Sequence, residues 1–273
     1  MKSNTILTLF IALTIIGGSS YFLTQDENIA TTNISEEKPT KSGFTIIKKA
    51  QAKTINVFQA NVFDYSNVKN TTEKKQVFFD TLRPIIISQN NQIKELRQAV
   101  LLAQKNNKNQ DWLQPLAKKY NVSWSKENPN WKQLLTHIDT IPTELVMAQA
   151  ANESAWGISR FAQKGNNLFG QWCFKKGCGI VPGQRDSGAN HEVRKFSSIN
   201  DSVASYMHNL NSGRAYKDLR NLRANLRSSN KPVDGHSLAK GLTKYSSRGK
   251  AYVKEIQSMI KTNKQLMRGT SKA

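Results

Sequence analysis

The chain has 273 residues, 38% of them hydrophobic and five of them tryptophan, which is enough for one large domain or for a small module beside a medium one. Lys and Arg number 40 against 19 Asp and Glu, a formal charge of +21 that steers the protein toward anionic partners. Such a composition excludes a chain too polar to bury a core, but charge alone does not choose among nucleic acid, anionic lipid and acidic cell-wall peptides.

The N-terminus narrows that choice. Lys2 precedes the apolar run Ile6 to Ile16, and small residues follow in GGSSYFL, the pattern of a secretory signal. With Tyr21, Phe22 and Leu23 counted, residues 1–23 are also just long enough for a membrane anchor. Either way the chain is exported, so nucleic acid is not the expected partner. No Cys follows the run, which argues against a lipoprotein.

Residues 24–70 are polar and nearly aperiodic, the composition of a tether or partly disordered arm. From Thr72 the pattern turns helical. Val77, Phe78, Leu82, Ile85 and Ile86 share a face, and Pro84 is expected to bend the rod before the pattern resumes through Ile93, Leu96, Val100 and Leu101. After a break in Lys105 to Gln110, short helices around Trp112 to Tyr120 and Trp131 to Ile138 complete a helical extension, residues 71–140.

Pro142 falls in the first turn of the next helix, where its missing N–H costs nothing. That helix is expected to run through TELVMAQAANESAW and stop at Gly157. A short helix from Ser159 to Gln163, a Gly-Asn-Asn turn and a small β region follow. The β region holds Cys173 and Cys178 around Lys-Lys-Gly, which reads as a disulfide pinning a hairpin in an oxidising compartment. The alternative is a nucleophilic Cys with His191 as its base. His137, His191, His208 and His236 are scattered, so neither a metal nor a cofactor is expected.

Ser198 with Asp201 resembles a capping box opening a helix through Val203, Tyr206, Met207 and Leu210. Further helices are expected through Leu219, Leu222 and Leu226, from Ser237 to Lys244, and from Ala251 to Met267. The fold class is mainly α (α+β), with one small β lobe inside residues 141–268. Arg220, Arg223 and Arg227 fall on one helix face, either a solvated stripe or a rim that would draw in carboxylates if it bordered a cleft. No interleaved aromatics mark it as a nucleic-acid channel.

Glu153, in AQAANESAWG, is the only acidic residue between Glu144 and Asp186. Val146, Gln149, Ala150 and Glu153 lie on one helical face, and the surrounding alanines allow close approach of neighbours. Apolar surroundings and the negative end of the helix both favour the protonated carboxyl. A carboxylic acid held protonated near neutral pH can donate a proton to a leaving oxygen, the general-acid role in glycoside cleavage. On pattern alone a surface glutamate is an equal reading.

ANESAWG, GNNLFGQWCF, KFSSINDSVASYMHNLN and GLTKYSSRGKAYVKEI, in that order, resemble the Bax-type proteins of Gram-negative bacteria, in glycoside hydrolase family 73. The resemblance covers about Lys74 to Leu266 and implies a lysozyme-like fold. It also implies cleavage of peptidoglycan glycan strands after N-acetylglucosamine, by a periplasmic protein either released from its signal or anchored at its N-terminus. It carries the catalytic acid onto Glu153 and a cleft tyrosine onto Tyr245. Asn167, Phe169 and Gly170 match the family's cleft-floor turn, and Tyr206 matches a further family tyrosine, although helix periodicity alone makes it core. Trp156 reads as core and helix terminator before it reads as a substrate contact.

The second carboxylate is less defined. An inverting glycosidase needs a base roughly 6.5–9.5 Å from the acid, a retaining one a nucleophile at about 5–5.5 Å. Glu192 and Asp186 are the candidates, unless the substrate's own N-acetyl group supplies the nucleophile. Two alternatives share the fold: a lytic transglycosylase, and a wall-binding protein with an inactive cleft.

Overall fold

The computed structural model describes residues 63–269 apart from 107–110, 184, 186 and 187. The expected signal or anchor at 1–23, the tether up to residue 62, and Asp186 lie outside the described residues.

Thr71–Lys105 forms helix α1. Asn70 opens it by accepting a bond from Glu73 N, and Glu73 reaches back to Lys69 N and Asn70 Nδ2, so the first turn is closed reciprocally. Pro84 lies within the helix without ending it. The reason is packing on both sides of that proline. Phe78, Phe79, Leu82, Ile85 and Ile86 enter the main core, whereas Val100 and Ala103 enter a second one. The second core is completed by Leu113 and Ala117 of α2 (Leu113–Lys119), Tyr120, Val122, and Leu134 of α3 (Trp131–His137) with Ile138. Residues assigned to the polar arm also pack: Phe63 is buried and Tyr65 lies against the main core.

Helix α4 (Thr143–Ser154) runs through the middle of the main core, where Leu145 to Ala151 are all buried. Small side chains let α1 and α9 (Lys250–Thr262) contact it closely. After α5 (Arg160–Gly165) come strands β1 (Trp172–Cys173), β2 (Gly179–Ile180) and β3 (Glu192–Arg194) in a three-stranded antiparallel sheet of order β1-β3-β2. Cys173 and Cys178 are joined, with Cα atoms 6.2 Å apart. The expected hairpin is not formed, because β3 pairs with both β1 and β2 and separates them. The disulfide therefore closes a loop between two edge strands. Gly179 is required there, since a Cβ would fall 2.1 Å from the Val193 carbonyl oxygen.

Helix α6 (Ile199–Ser212) opens on Ser198, whose Oγ accepts from Asp201 N and donates to Asp201 Oδ2. A 3-10 turn (Arg214–Tyr216), α7 (Lys217–Ser228), α8 (Gly235–Leu238) and a second 3-10 turn (Ala239–Leu242) lead to α9. Buried Asn263 then separates α9 from α10 (Lys264–Arg268), so the expected single last helix is two. The result is a mainly α, lysozyme-like fold with a small β lobe. Among the described residues no helix is long and apolar enough to cross a membrane.

The arginine stripe on α7 is mostly turned inward, with Arg227 alone of the three exposed. Arg223 is fully buried and Arg220 almost so. The Arg223 guanidinium donates to the carbonyls of Thr136, Asp139 and Thr140 and to Asn211 Oδ1, and lies 3.7 Å from the Asp139 carboxylate. Arg227 donates to both Asp139 carboxylate oxygens, and Arg220 to the carbonyls of Leu210 and Gly213. These carbonyls lie at the ends of α3 and α6, where intrahelical donors run out, so the stripe serves as a set of C-terminal caps. Burial lowers Arg223 to about 10, which leaves it charged at neutral pH. Arg223→Ala is expected to cost about 3–5 kcal/mol in urea unfolding, because it breaks a buried ion pair and strips several carbonyls together. Arg223→Lys should recover little of that, lacking the planar fork.

Candidate active site

Helix α4 stops at Ser154, not at the expected Gly157, and three left-handed residues follow: Ala155 (φ 50°), Trp156 (φ 61°) and Gly157 (φ 79°). Two of them are not glycine, and each such residue stores about 1 kcal/mol or more. The turn is held by its surroundings. Ser154 Oγ donates to the Ala150 carbonyl and accepts from Gly157 N, and Trp156 N bonds the Ala151 carbonyl. From outside, Tyr65 Oη donates to the Trp156 carbonyl at 2.6 Å and Gln163 Nε2 to the Gly157 carbonyl at 2.7 Å. The Trp156 ring packs edgewise on Phe78 and Phe79, with the Lys75 ammonium over it. Backbone strain is thus concentrated beside Glu153.

Glu153 is half-buried. Its Oε1 accepts from Tyr252 Oη at 2.8 Å and from Asn152 Nδ2 at 3.3 Å. Burial raises the carboxyl's pKa, and the Tyr252 and Asn152 bonds work against that rise. Nearby Glu255 pushes it further up and Arg248 pulls it down, while those two side chains are themselves paired at 2.7 Å. Behind Tyr252, Gln149 Nε2 donates to its hydroxyl at 2.9 Å, and Tyr206 donates to Gln149 Oε1.

Tyr206, Tyr245 and Phe169 come together beneath the carboxyl. Phe169 stacks on Tyr206 with centroids 3.8 Å apart, Tyr245 stacks on Tyr252 at 5.2 Å, and Tyr245 Oη donates to the Phe169 carbonyl at 3.2 Å. Tyr216 closes the block, 6.0 Å from Tyr245. Sequence reasoning assigned no role to Tyr252, Gln149, Tyr216 or Glu255. Gln149 lies on the Glu153 face one turn away, which was the available signal; Tyr252 falls inside the expected helix from Ala251 to Met267, where nothing local singles it out.

Asn167 is buried and its amide is fully used: Nδ2 donates to the carbonyls of Gln171 and Arg194, and Oδ1 accepts from Phe169 N and Gln171 N. Gly170 (φ 64°) is exposed at the same turn. Glu192, on the central strand of the β lobe, accepts from Gly177 N at 2.9 Å and Gly179 N at 2.8 Å, one on each oxygen. Those two bonds hold it below the usual carboxylate range, opposite to Glu153. Among the described residues there is no free cysteine, so the alternative of a thiol with His191 as base has no thiol to act. His191 instead stacks on Trp172 at 4.0 Å. Cys173, Cys178 and Glu192 bring potential ligand atoms within 4.8 Å of one another, but both sulfurs are bonded to each other.

A family model described as mannosyl-glycoprotein endo-beta-N-acetylglucosaminidase matches residues 128–265. The protein is 34% identical over 213 residues to "Protein bax" of Escherichia coli (strain K12), a match covering 75% of each chain. No solved structure matches.

Gly157 offers a test of the turn. A Cβ there would lie 2.2 Å from the Phe63 ring on a backbone already at φ +79°. Gly157→Ala is therefore expected to lower stability by about 1–3 kcal/mol, read as a fall in melting temperature. An unchanged melting temperature would mean that Phe63 does not pack on this turn.

Proposed function

The chain belongs to the glucosaminidase family, and on that premise we propose that it is an endo-β-N-acetylglucosaminidase hydrolysing peptidoglycan strands after N-acetylglucosamine, with Glu153 as general acid. The observation that carries this reading is the raised pKa of a half-buried carboxyl at a strained helix end, bonded by Tyr252 on one oxygen. A raised pKa favours the protonated form, and a proton to donate is what a leaving sugar oxygen needs. The formal charge of +21 suits an acidic polymer, and the protein works in the periplasm, released or anchored through residues 1–23.

For the second half of the reaction we favour substrate assistance. Glu192 is ionised but has a backbone N–H on each oxygen, which makes it a weak base. Glu255, the carboxylate whose charge does reach Glu153, is paired with Arg248. The acetamido oxygen of the substrate would then attack the anomeric carbon as the bond from that carbon to the leaving sugar's oxygen breaks, and the leaving oxygen takes the proton from Glu153. Water next attacks the same carbon, returning a proton to Glu153 and restoring the acetamide.

Mass spectrometry of peptidoglycan digested with the full chain is expected to show reducing N-acetylglucosamine ends. Glu153→Gln should lose about 10²–10⁴-fold of that activity. In the parent, activity should fall as pH rises through the elevated Glu153 pKa, because only the protonated form donates. Anhydro ends would make the protein a lytic transglycosylase, and wall binding without cleavage by either form would leave a binding protein. Substrate assistance predicts that the new reducing end first appears by NMR in the β configuration of the substrate; initial α product would require a base-activated water instead.

A further inference from the structure

Glu153 is reached by a chain of three hydrogen bonds that starts in the core. Gln149 is wholly inaccessible to solvent, one helical turn before Glu153. Its amide stands with Oε1 toward Tyr206, which donates to it, and Nε2 toward Tyr252 Oη, to which it donates at 2.9 Å. A phenol carries one proton. With Gln149 donating to the Tyr252 oxygen, the Tyr252 proton is directed to Glu153 Oε1 at 2.8 Å. Asn152 makes its longer contact with the same oxygen. Among the described residues no donor reaches Oε2.

We propose that Tyr252 is a positioning residue: backed by Gln149 and Tyr206, it commits Oε1 of Glu153 to accepting hydrogen bonds, so the proton that is transferred sits on Oε2. This rests on the general-acid reading of Glu153. In the transfer step the Oε2–H bond breaks, the leaving sugar oxygen gains that proton while keeping the electron pair of the broken glycosidic bond, and the negative charge left on Glu153 is met at once by the Tyr252 hydroxyl. The bond to Tyr252 therefore strengthens as charge develops, which is the difference between binding a ground state and assisting a transition state.

The other groups facing Glu153 are Tyr206 on α6, Tyr216 on the 3-10 turn, Tyr245 ahead of α9, and the paired Arg248 and Glu255. Burial raises all four tyrosines of the block, so they stay neutral through the working range. Arg248 and Glu255 are then the charged neighbours, and neither is altered by removing a tyrosine hydroxyl.

The test is Tyr252→Phe in the full chain, with Tyr206→Phe as a second variant that removes nothing touching Glu153. The Glu153 carboxyl is titrated by carbon-13 NMR, its signal identified by its loss in Glu153→Gln, beside the pH dependence of glycan cleavage. Tyr252→Phe should raise the carboxyl pKa by about one unit, the worth of a charge-assisted hydrogen bond. It should move the alkaline limb of cleavage upward by the same amount and lower kcat about tenfold, with KM nearly unchanged. Tyr206→Phe should move the carboxyl the same way by less. An unmoved titration overturns the proposal. So does a downward shift, which would mean that Glu153 donates to Tyr252. If the parent cuts no glycan, the enzymatic reading fails, while the carboxyl titration still decides the bond polarity.

Discussion

Close packing around α4 is the constraint on which the other features depend. Its alanines admit α1 and α9 closely, so Leu145 to Ala151 are all buried and Glu153 at its end is left only half-exposed. The polar groups it does carry must be satisfied by neighbours: Gln149 by Tyr206 and Tyr252, Ser154 by its own backbone, Glu153 by Tyr252 and Asn152. A helix this enclosed also cannot fray gradually. It ends in three left-handed residues, and the strain is held by Tyr65, Gln163 and the aromatic shelf of α1.

The helices were legible in the sequence where periodicity was clear, as around Trp131, and most so where a cap agreed with it, as at Ser198 with Asp201. The placement of Glu153 on the face shared with Gln149 was legible for the same reason. The early stop of α4 was not, because a left-handed alanine and tryptophan contradict local preference and exist only through contacts distant in sequence. At Pro84 the helical pattern resumes after the proline, and the helix is continuous through it, with one part in each of two cores. The arginine stripe shows a different blind spot. Spacing says that Arg220, Arg223 and Arg227 share a face but not which way that face points. Here Arg220 and Arg223 reach carbonyls at the ends of α3 and α6, and the exposed Arg227 pairs with the Asp139 carboxylate.

Tyr252 was hidden by its amphipathic nature. In the last helix it fits an apolar register, and it is buried as that register requires. Its hydroxyl nevertheless meets a carboxyl whose pKa burial raises, where the other shifted carboxyls among the described residues are lowered. Glu192 and Glu153 make the complementary point about charge. One is stabilised as an anion by two peptide N–H groups, the other is biased toward the neutral acid by burial, although both are glutamates near apolar strand or helix positions.

The β lobe has a consequence for the order in which the protein assembles. Its disulfide spans a sequence separation of only 5, so the covalent loop can close before the surrounding chain has arrived. Every ladder bond of the sheet, by contrast, involves β3, which enters between two strands that never pair with each other. Oxidation and sheet formation are thereby separate events, the first local and the second waiting on a late central strand. Once folded, withdrawal of that one strand would dismantle the whole sheet while leaving the covalent loop intact.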